Sequence, residues 1–271
     1  MPLKTERLGF IGAGNMAGAL IRGLIQNGLY TADAVAASDN DAARLESLAE
    51  ETGMRSYSSN LDLVQASTAV VLSVKPQVLP RVLREIRDAV EDHTLLISIA
   101  AGFPLDGIRT ALEKEPPLIR VMPNTPALIG RGVSALAPGE KASEEHMGVA
   151  RAIFEAVGET VVVEEFMMNA VTAVSGSGPG YVFRIMEALV EAGEGVGFER
   201  EEALRLVVQM VLGAAHLAAE SEKSLAELRE MVTSPGGTTA AGLSVIDDQN
   251  LEGILISAVR AARDRAIELG K

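Results

Sequence analysis

The stretch of residues 7–18 constrains the fold of this chain more than any other. It reads Arg-Leu-Gly-Phe-Ile-Gly-Ala-Gly-Asn-Met-Ala-Gly. An apolar run over residues 8–11 ends at Gly12, Gly14 and Ala17 follow, and an apolar helical pattern then continues to Gly28. A G-x-G-x-x-A pattern between a strand and a helix predicts a dinucleotide-binding turn.

Each small residue of this turn has a physical task. Gly12 allows a sharp turn out of the strand, Gly14 lets a pyrophosphate approach the backbone, and Ala17 lets the helix lie close to the sheet. The helix N-terminus supplies free N–H groups and a partial positive charge to the phosphates. The alternative is a glycine-rich turn that binds nothing, and the strand before it and the helix after it favour cofactor binding.

Strands and helices alternate through the first part of the chain. Predicted helices span residues 42–51, 78–90 and 144–156, the last with Ser143 as its N-cap, and predicted strands span residues 8–11, 34–38, 54–57, 69–74, 94–99, 118–122, 133–137 and 160–163. This alternation predicts an α/β fold with a Rossmann-type, doubly wound parallel sheet.

The end of the second strand is where a dinucleotide enzyme selects its cofactor. A carboxylate there, as at Asp39, favours the ribose diol of NAD. Ser38, Asn40 and Arg44 instead suit the 2′-phosphate of NADP, so the residues leave both cofactors open. The alternative role for Asp39 is a helix N-cap.

Three further strand ends carry candidate ligands, because ligands of open α/β sheets bind at the carboxyl ends of the strands. Lys75 follows the fourth strand. It is either a residue that lies near the cofactor or a solvated lysine of the loop. Small residues from Ala100 let the backbone pass close to a nicotinamide. Asn124 and Thr125 are binding candidates whose alternative is an Asx-type turn between prolines.

The pattern changes near Glu164, after which no convincing strand remains. We therefore predict a dinucleotide-binding domain over residues 1–163 and an all-α substrate-binding and dimerisation domain over residues 164–271. Predicted helices span residues 179–193, 201–220, 225–232 and 251–269, and Ser224 with Glu227 forms a capping box. Residues 207–217 are apolar on more than one side, which favours a homo-oligomer in which a partner subunit covers them.

Two stretches of this helical part combine glycine with hydroxyls, namely residues 175–181 (Ser-Gly-Ser-Gly-Pro-Gly-Tyr) and residues 234–239 (Ser-Pro-Gly-Gly-Thr-Thr). In the second, Gly236 and Gly237 favour an anion-binding nest of backbone N–H groups. Ser234, Thr238 and Thr239 add donors, and Thr239 opens the next helix. A small carboxylate fits such a nest, and the alternative is an ordinary helix–helix turn.

Composition excludes several classes of function. The net charge of -13 argues against nucleic-acid binding. The chain has no cysteine, and its three histidines are scattered, so we expect no thiolate chemistry and no metal site. The first residues lack the pattern of a signal peptide, and no segment reads as a membrane span, so we expect a soluble cytoplasmic protein.

Taken together, these stretches resemble pyrroline-5-carboxylate reductase over essentially the whole chain. The motifs that carry the resemblance are residues 9–17, 74–76, 98–102, 122–127, 175–179 and 234–239. The resemblance implies reduction of L-1-pyrroline-5-carboxylate to L-proline by NAD(P)H, the last step of proline biosynthesis. It also implies a dimer with interleaved helical domains, often assembled into a decamer.

By this resemblance, the nest at residues 234–239 holds the substrate carboxylate, and the Thr239 hydroxyl bonds the ring nitrogen as the one catalytic side chain. The implied substrate-binding residues are Ser234, Gly236, Gly237, Thr238, Thr239 and Ser177. The cofactor-binding candidates are Ile11, Gly12, Gly14, Asn15, Met16, Ala17, Ser38, Asp39, Asn60, Val74, Lys75, Pro76, Ala100, Ala101 and Asn124. Asp39 departs from the family pattern and leaves the usual NADPH preference open.

Two other functions fit parts of the pattern. A β-hydroxyacid dehydrogenase has the same two-domain build, but it relies on a lysine in the helical domain, where this chain has only Lys223 before Lys271. A non-catalytic NAD(P)-binding dimeric scaffold needs no substrate pocket. Turnover of pyrroline-5-carboxylate, turnover of hydroxyacids alone, or cofactor binding without turnover separates the three.

Overall fold

The fold is built on one eight-stranded sheet, seen in a computed structural model that describes residues 7–270. The expectation about a signal peptide falls on residues outside this range. The strands are β1 (Leu8–Ile11), β2 (Val35–Ser38), β3 (Arg55–Tyr57), β4 (Ala69–Leu72), β5 (Leu95–Ser98), β6 (Leu118–Met122), β7 (Gly132–Pro138) and β8 (Gly158–Val162). Their order is β3-β2-β1-β4-β5-β6-β7-β8, so the predicted α/β fold class with a Rossmann-type sheet is confirmed.

The strand order reverses between β1 and β4. On one side of this point the successive strands β1, β2 and β3 lie progressively further out in the sheet. On the other side the successive strands β4, β5 and β6 do the same. Ligands of such sheets bind in the crevice at this switch point, beyond the carboxyl ends of the strands. The glycine turn after β1 lies at that position.

One pair of strands departs from the parallel arrangement that the sequence predicts. Strands β6 and β7 are antiparallel, with Arg120 opposite Ala137, whereas β7 and β8 are again parallel. Only a short 3-10 turn, Thr125–Ile129, connects β6 to β7. So short a link allows a reversal, whereas a parallel crossover needs a dozen or more residues.

Helices cover both faces of the sheet. They are α1 (Asn15–Gln26), α2 (Ala42–Thr52), α3 (Asn60–Gln65), α4 (Leu79–Ile86), α5 (Leu105–Leu112), α6 (Glu144–Glu155) and α7 (Met168–Val171). Alternate strand residues face opposite ways. Phe10 and Val71 join a core with α1 and α6, while Val70 and Leu72 join a second core with α4 and α5.

Five further helices follow, namely α8 (Gly178–Gly195), α9 (Arg200–Glu220), α10 (Leu225–Met231), α11 (Thr238–Asp248) and α12 (Leu251–Leu269). The N-cap at Ser143 and the capping box of Ser224 with Glu227 are both confirmed. The backbone contacts divide the chain into two compact units. One runs to Ser177 and includes the chain again from Ala261, and the other spans Gly178–Arg260. The domain division at residues 163/164 stays a prediction.

The second unit buries few of its apolar side chains. Val190 of α8 packs against Ala203 and Val207 of α9, and a Cβ on Gly193 would lie 2.9 Å from the Ala203 Cβ. Phe183 nevertheless remains 59% exposed. Other exposed apolar residues on the same helices include Leu189, Leu204, Leu206, Met210, Leu212 and Leu217. So much exposed apolar surface is typical of a protein interface.

One of the described helices, α9, is long and apolar enough to span a membrane by length and composition alone. The prediction that no segment reads as a span therefore needs correction, because the most apolar window of α9 has a mean hydropathy of 1.3. The physical reason is that α9 carries apolar residues on several sides. A single such helix is weak evidence of a membrane segment, because apolar helices covered by protein share these properties.

An ion pair between a buried arginine and a half-buried glutamate joins β6 to the segment before α7. Arg120 is 4% exposed, and its Nη1 lies 3.6 Å from Oε1 of Glu165. The same carboxylate oxygen accepts the N–H of Leu105, at 2.6 Å, where α5 begins. Burial lowers the pKa of Arg120, and Glu165 partly offsets this effect. The guanidinium stays charged, since arginine is not deprotonated in proteins.

Replacing Glu165 with glutamine should lower the free energy of unfolding by about 1–3 kcal/mol. The amide keeps an acceptor for Leu105 but leaves the buried guanidinium without a counter-charge. Urea unfolding measures the loss. Glu164→Gln, at an exposed neighbour, is the matched control and should change stability by less than about 0.5 kcal/mol. Equal losses in both variants would contradict the assigned role of the pair.

Candidate active site

Gly12 makes the turn out of β1 and joins three strands. Its φ of +99° is in the left-handed region, and a Cβ there would lie 2.8 Å from the Ser73 carbonyl oxygen. Its N–H donates to the Ser38 carbonyl, at 2.8 Å. The Ser73 hydroxyl donates to the carbonyls of Ile11 and Gly12, at 3.0 and 2.6 Å. Sequence reasoning missed Ser73, whose only signal is its place between β4 and Lys75.

Gly14 is the N-cap of α1, and a Cβ there would meet no atom within 4 Å. No side chain caps this helix terminus, and its first turn carries no acidic residue. Asn15 is exposed and Met16 half-buried, whereas Ala17 is 1% exposed. The terminus therefore presents free N–H groups to open space, which is the arrangement that binds phosphate at helix N-termini.

Asp39 ties the glycine turn to the end of β2. One carboxylate oxygen accepts the Ala13 N–H at 2.7 Å, and the other accepts the Asp41 N–H at 2.8 Å. Arg44 lies 3.5 Å from this carboxylate and 2.9 Å from that of Asp41. The alternative role for Asp39, a helix N-cap, is wrong, because Asp41 caps α2 through the Arg44 N–H.

The fold brings Ser38 and Asn60 together beside Asp39. The buried Ser38 hydroxyl donates to the Asn60 side-chain oxygen at 2.7 Å, and the Asn60 side-chain nitrogen donates to Glu85 at 3.1 Å. These residues lie at the carboxyl end of β2 and the start of α3. Predicted cofactor ligands from separate parts of the sequence thus line one edge of the crevice.

The ends of β4 and β5 carry further predicted cofactor-binding residues. Lys75 is exposed after β4, between the half-buried Val74 and Pro76. Ala100 is buried and Ala101 half-buried after β5. Strand β4 pairs in parallel with β1, and β5 pairs in parallel with β4, so these residues share the edge that holds the glycine turn.

Asn124 follows β6 on the same edge, and both ends of its side-chain amide are engaged. Its oxygen accepts the Val133 N–H at 3.0 Å, and its nitrogen donates to the Ser175 carbonyl at 3.3 Å. An Asx-type turn, the alternative considered for Asn124, is wrong. That turn needs the N–H of the residue two positions on, which is Pro126.

The second unit holds the hydroxyl-rich turn at residues 234–239. The Gly237 N–H donates to the Ser234 carbonyl at 3.0 Å, and Gly236 has a φ of +69°. With Pro235 second and glycine third, this is the arrangement of a type II turn. A Cβ on Gly237 would lie 2.4 Å from the Ser234 hydroxyl oxygen, so a larger residue there would displace that hydroxyl.

Helix α11 begins at Thr238, directly after this turn. Gly237 is its N-cap, no side chain caps it, and its first turn has no acidic residue. The Gly237 N–H, expected to hold the substrate carboxylate, is engaged in the turn itself. The N–H groups of Thr238 and Thr239 belong to the first helical turn, where the helix supplies no acceptor. Thr239 is half-buried, and Ser177 belongs to the first compact unit.

The crevice residues fit a dinucleotide. The open space at Gly14, the uncapped α1 terminus and the polar end of β2 supply a pyrophosphate cradle and ribose contacts. Fold and site together define an NAD(P)-dependent oxidoreductase whose second unit exposes a large apolar surface.

Comparisons with known proteins narrow this class. A family model described as pyrroline-5-carboxylate reductase dimerisation matches residues 165–269, and one described as NADP oxidoreductase, coenzyme F420-dependent, matches residues 7–102. A pyrroline-5-carboxylate reductase of Methanosarcina acetivorans is 40% identical over 99% of this chain and 100% of its own. One of Pseudomonas aeruginosa is 41% identical over 99% of this chain and 98% of its own.

Solved structures with the same fold also include pyrroline-5-carboxylate reductases. A pyrroline-5-carboxylate reductase from Coxiella burnetii has a TM-score of 0.93 and 38% identity, and covers 99% of this chain and 100% of its own. A Plasmodium falciparum pyrroline carboxylate reductase with NADP bound has a TM-score of 0.90 and 28% identity over 100% of both chains. This chain belongs to the pyrroline-5-carboxylate reductase family.

Proposed function

We propose that this chain reduces L-1-pyrroline-5-carboxylate to L-proline with NADH or NADPH, the last step of proline biosynthesis. The observation that carries the proposal is the turn at residues 234–239, because its left-handed glycine and uncapped helix terminus suit a small carboxylate. The relatives' names and the dinucleotide cradle at Gly12–Gly14 support the same reaction.

The cofactor would supply the hydride that forms the new C–H bond at the imine carbon. The chain's residues bind and orient the substrate. The N–H groups of Thr238 and Thr239 hold the carboxylate, and the Thr239 hydroxyl bonds the ring nitrogen. Ser234, Gly236, Gly237 and Ser177 complete the proposed substrate site. An imine is basic enough to arrive protonated, so positioning is the main catalytic contribution.

The cofactor site is proposed at the carboxyl edge of the sheet. The main-chain N–H groups of the glycine turn and α1 bind the pyrophosphate, and the residues around Asp39 contact the adenosine ribose. The further proposed contacts are Ile11, Asn15, Met16, Ala17, Ser38, Asn60, Val74, Lys75, Pro76, Ala100, Ala101 and Asn124.

We also propose a homodimer formed through the second unit, because its helices expose many large apolar side chains. Assembly of dimers into a decamer is the family's frequent next step. A partner subunit would cover the apolar sides of α9, so this helix needs no membrane around it. We propose that the protein acts in the cytoplasm, without a membrane or nucleic-acid partner. Analytical ultracentrifugation measures the assembly.

Replacing Asp39 with asparagine should shift cofactor preference towards NADPH. Asparagine keeps one acceptor for the two backbone N–H groups, so the glycine turn is held less well and NADH affinity should fall about tenfold. Loss of the negative charge also removes repulsion of a 2′-phosphate, so NADPH affinity should fall less. Fluorescence titration of both cofactors measures the ratio. Asp33→Asn is the exposed control, and an equal change in affinity for both cofactors would contradict this role.

The test of the proposed reaction is a kinetic assay that follows nicotinamide absorbance with two substrate classes. Pyrroline-5-carboxylate should support turnover, whereas β-hydroxyacids with the oxidised cofactor should not. Turnover of hydroxyacids alone would identify a dehydrogenase. Cofactor binding without turnover of either substrate would identify a non-catalytic scaffold.

A further inference from the structure

A break in helical structure precedes α8, at the second glycine-rich stretch. Residues Thr172–Gly176 form a π-helical turn, in which the Ser177 N–H donates to the Thr172 carbonyl at 2.8 Å. Such turns are rare and frequently mark functional sites. Two hydroxyls of this turn bond carbonyls four residues earlier, Thr172 to Met168 and Ser175 to Val171.

The Ser175 carbonyl has no α-helical partner because residue 179 is proline. In an α-helix this carbonyl would accept the N–H four residues on, and proline has none. The Asn124 side-chain nitrogen donates to it instead. The orientation of the amide is determined by its two neighbours, since the Val133 N–H can donate only to the side-chain oxygen and the Ser175 carbonyl can accept only from the nitrogen.

The same turn packs on the end of β6. A Cβ on Gly176 would lie 2.6 Å from the methyl group of Met122, and Met122 joins the small core that contains Met168, Ala135 and Ala137. Strand β6 is parallel to β5, so its carboxyl end shares the sheet edge that holds the glycine turn. The backbone at Gly176 and Ser177 is thereby held on the proposed reaction side of the sheet.

We propose that Asn124 is a positioning residue for the reaction. It replaces the hydrogen bond that Pro179 cannot supply to Ser175, and so keeps the backbone at Gly176 and Ser177 in place for the substrate. The role rests on the proposed function, because Ser177 is a proposed substrate contact. It differs from direct contact with the cofactor, the other role proposed for Asn124.

The test compares Asn124→Asp with the double variant Asn124→Asp/Pro179→Ala. Aspartate keeps the acceptor for Val133 but removes the donor to Ser175, so kcat should fall about 10- to 100-fold. The Kd for NADPH should stay within about threefold, because in this role the Asn124 side chain acts on the Ser175 carbonyl and not on the cofactor. The KM for pyrroline-5-carboxylate should change less than kcat, because the displaced backbone at Ser177 matters most in the transition state. Alanine at 179 returns an N–H to the Ser175 carbonyl, so the double variant should regain at least about fivefold in kcat.

A second readout needs no turnover. Amide hydrogen exchange of residues 172–180 should speed up in Asn124→Asp and slow again in the double variant. The matched control is Asn27→Asp, which removes the same kind of bond, from the Asn27 side-chain nitrogen to the Ala156 carbonyl, at the end of α1. It should leave both exchange in this segment and kcat unchanged.

Three results would overturn the proposal. These are an unchanged kcat in Asn124→Asp, a rise in the NADPH Kd of about tenfold or more with kcat retained, and no recovery in the double variant. The second would assign Asn124 to the cofactor directly. If the unaltered protein does not reduce pyrroline-5-carboxylate, the proposed function fails. Hydrogen exchange then decides by itself whether Asn124 holds the turn.

Discussion

Replacing Thr239 with alanine is expected to lower kcat/KM for pyrroline-5-carboxylate by about one to three orders of magnitude. The half-buried Thr239 stands in the first turn of α11, behind a type II turn. Its hydroxyl is the proposed partner of the ring nitrogen, and its loss removes the one side-chain donor that orients the imine. Steady-state kinetics with either cofactor measures the change.

Two variants separate this role from a general effect of a lost hydroxyl. Thr239→Ser keeps the donor and should retain most of the activity. Thr233→Ala removes a second hydroxyl, near the same turn. This hydroxyl already donates to the Arg229 carbonyl, at 2.6 Å, so its loss should change kcat/KM by less than about threefold. An unchanged kcat/KM in Thr239→Ala would remove Thr239 from the proposed mechanism.

Replacing Gly14 with alanine should weaken NAD(P)H binding by about 10- to 100-fold while leaving the melting temperature almost unchanged. The new methyl group would meet no protein atom within 4 Å, so the fold tolerates it. It would instead occupy the space where the pyrophosphate approaches the backbone, an overlap that typically costs about 1–3 kcal/mol. Fluorescence titration and thermal unfolding, run on the same samples, separate the two quantities.

Two other glycines provide the comparison. Gly148→Ala in α6 also places a methyl group in open space and should leave NAD(P)H affinity unchanged. It should raise the melting temperature slightly, because alanine inside a helix is about 0.5–1 kcal/mol more favourable than glycine. Gly12→Ala should lower both, since its φ is +99° and its Cβ would lie 2.8 Å from the Ser73 carbonyl oxygen. If Gly14→Ala bound NAD(P)H as tightly as the unaltered chain, the pyrophosphate would lie elsewhere.

Local features were predictable from the sequence because their causes are local. The glycine turn, the Ser143 cap and the box of Ser224 with Glu227 depend on neighbouring residues, and they form as predicted. Strand β6 and helix α12 have their predicted bounds. The short helices α3 and α5 were missed, although Leu105, Ile108 and Leu112 of α5 have the spacing of a buried helical face.

Contacts between distant residues were not predictable. Asp39 binds the N–H of Ala13, and Asn124 links Val133 to Ser175. Neither pairing has a sequence period or spacing that would indicate it. Arg120 likewise reads as an ordinary charged residue until β6 buries it beside Glu165. Site residues could be named from motifs, while the bonds that hold them depend on the assembled sheet.

The most direct measurement is transfer of deuterium from cofactor to product. Purified protein would be given pyrroline-5-carboxylate and either NADPH or NADH deuterated at nicotinamide C4, with each C4 epimer of each cofactor in turn. The proline formed would be analysed by mass spectrometry and NMR. We expect L-proline with one deuterium at C5 from one epimer only. Formation of unlabelled proline from both epimers, or no proline at all, would contradict hydride transfer to this substrate.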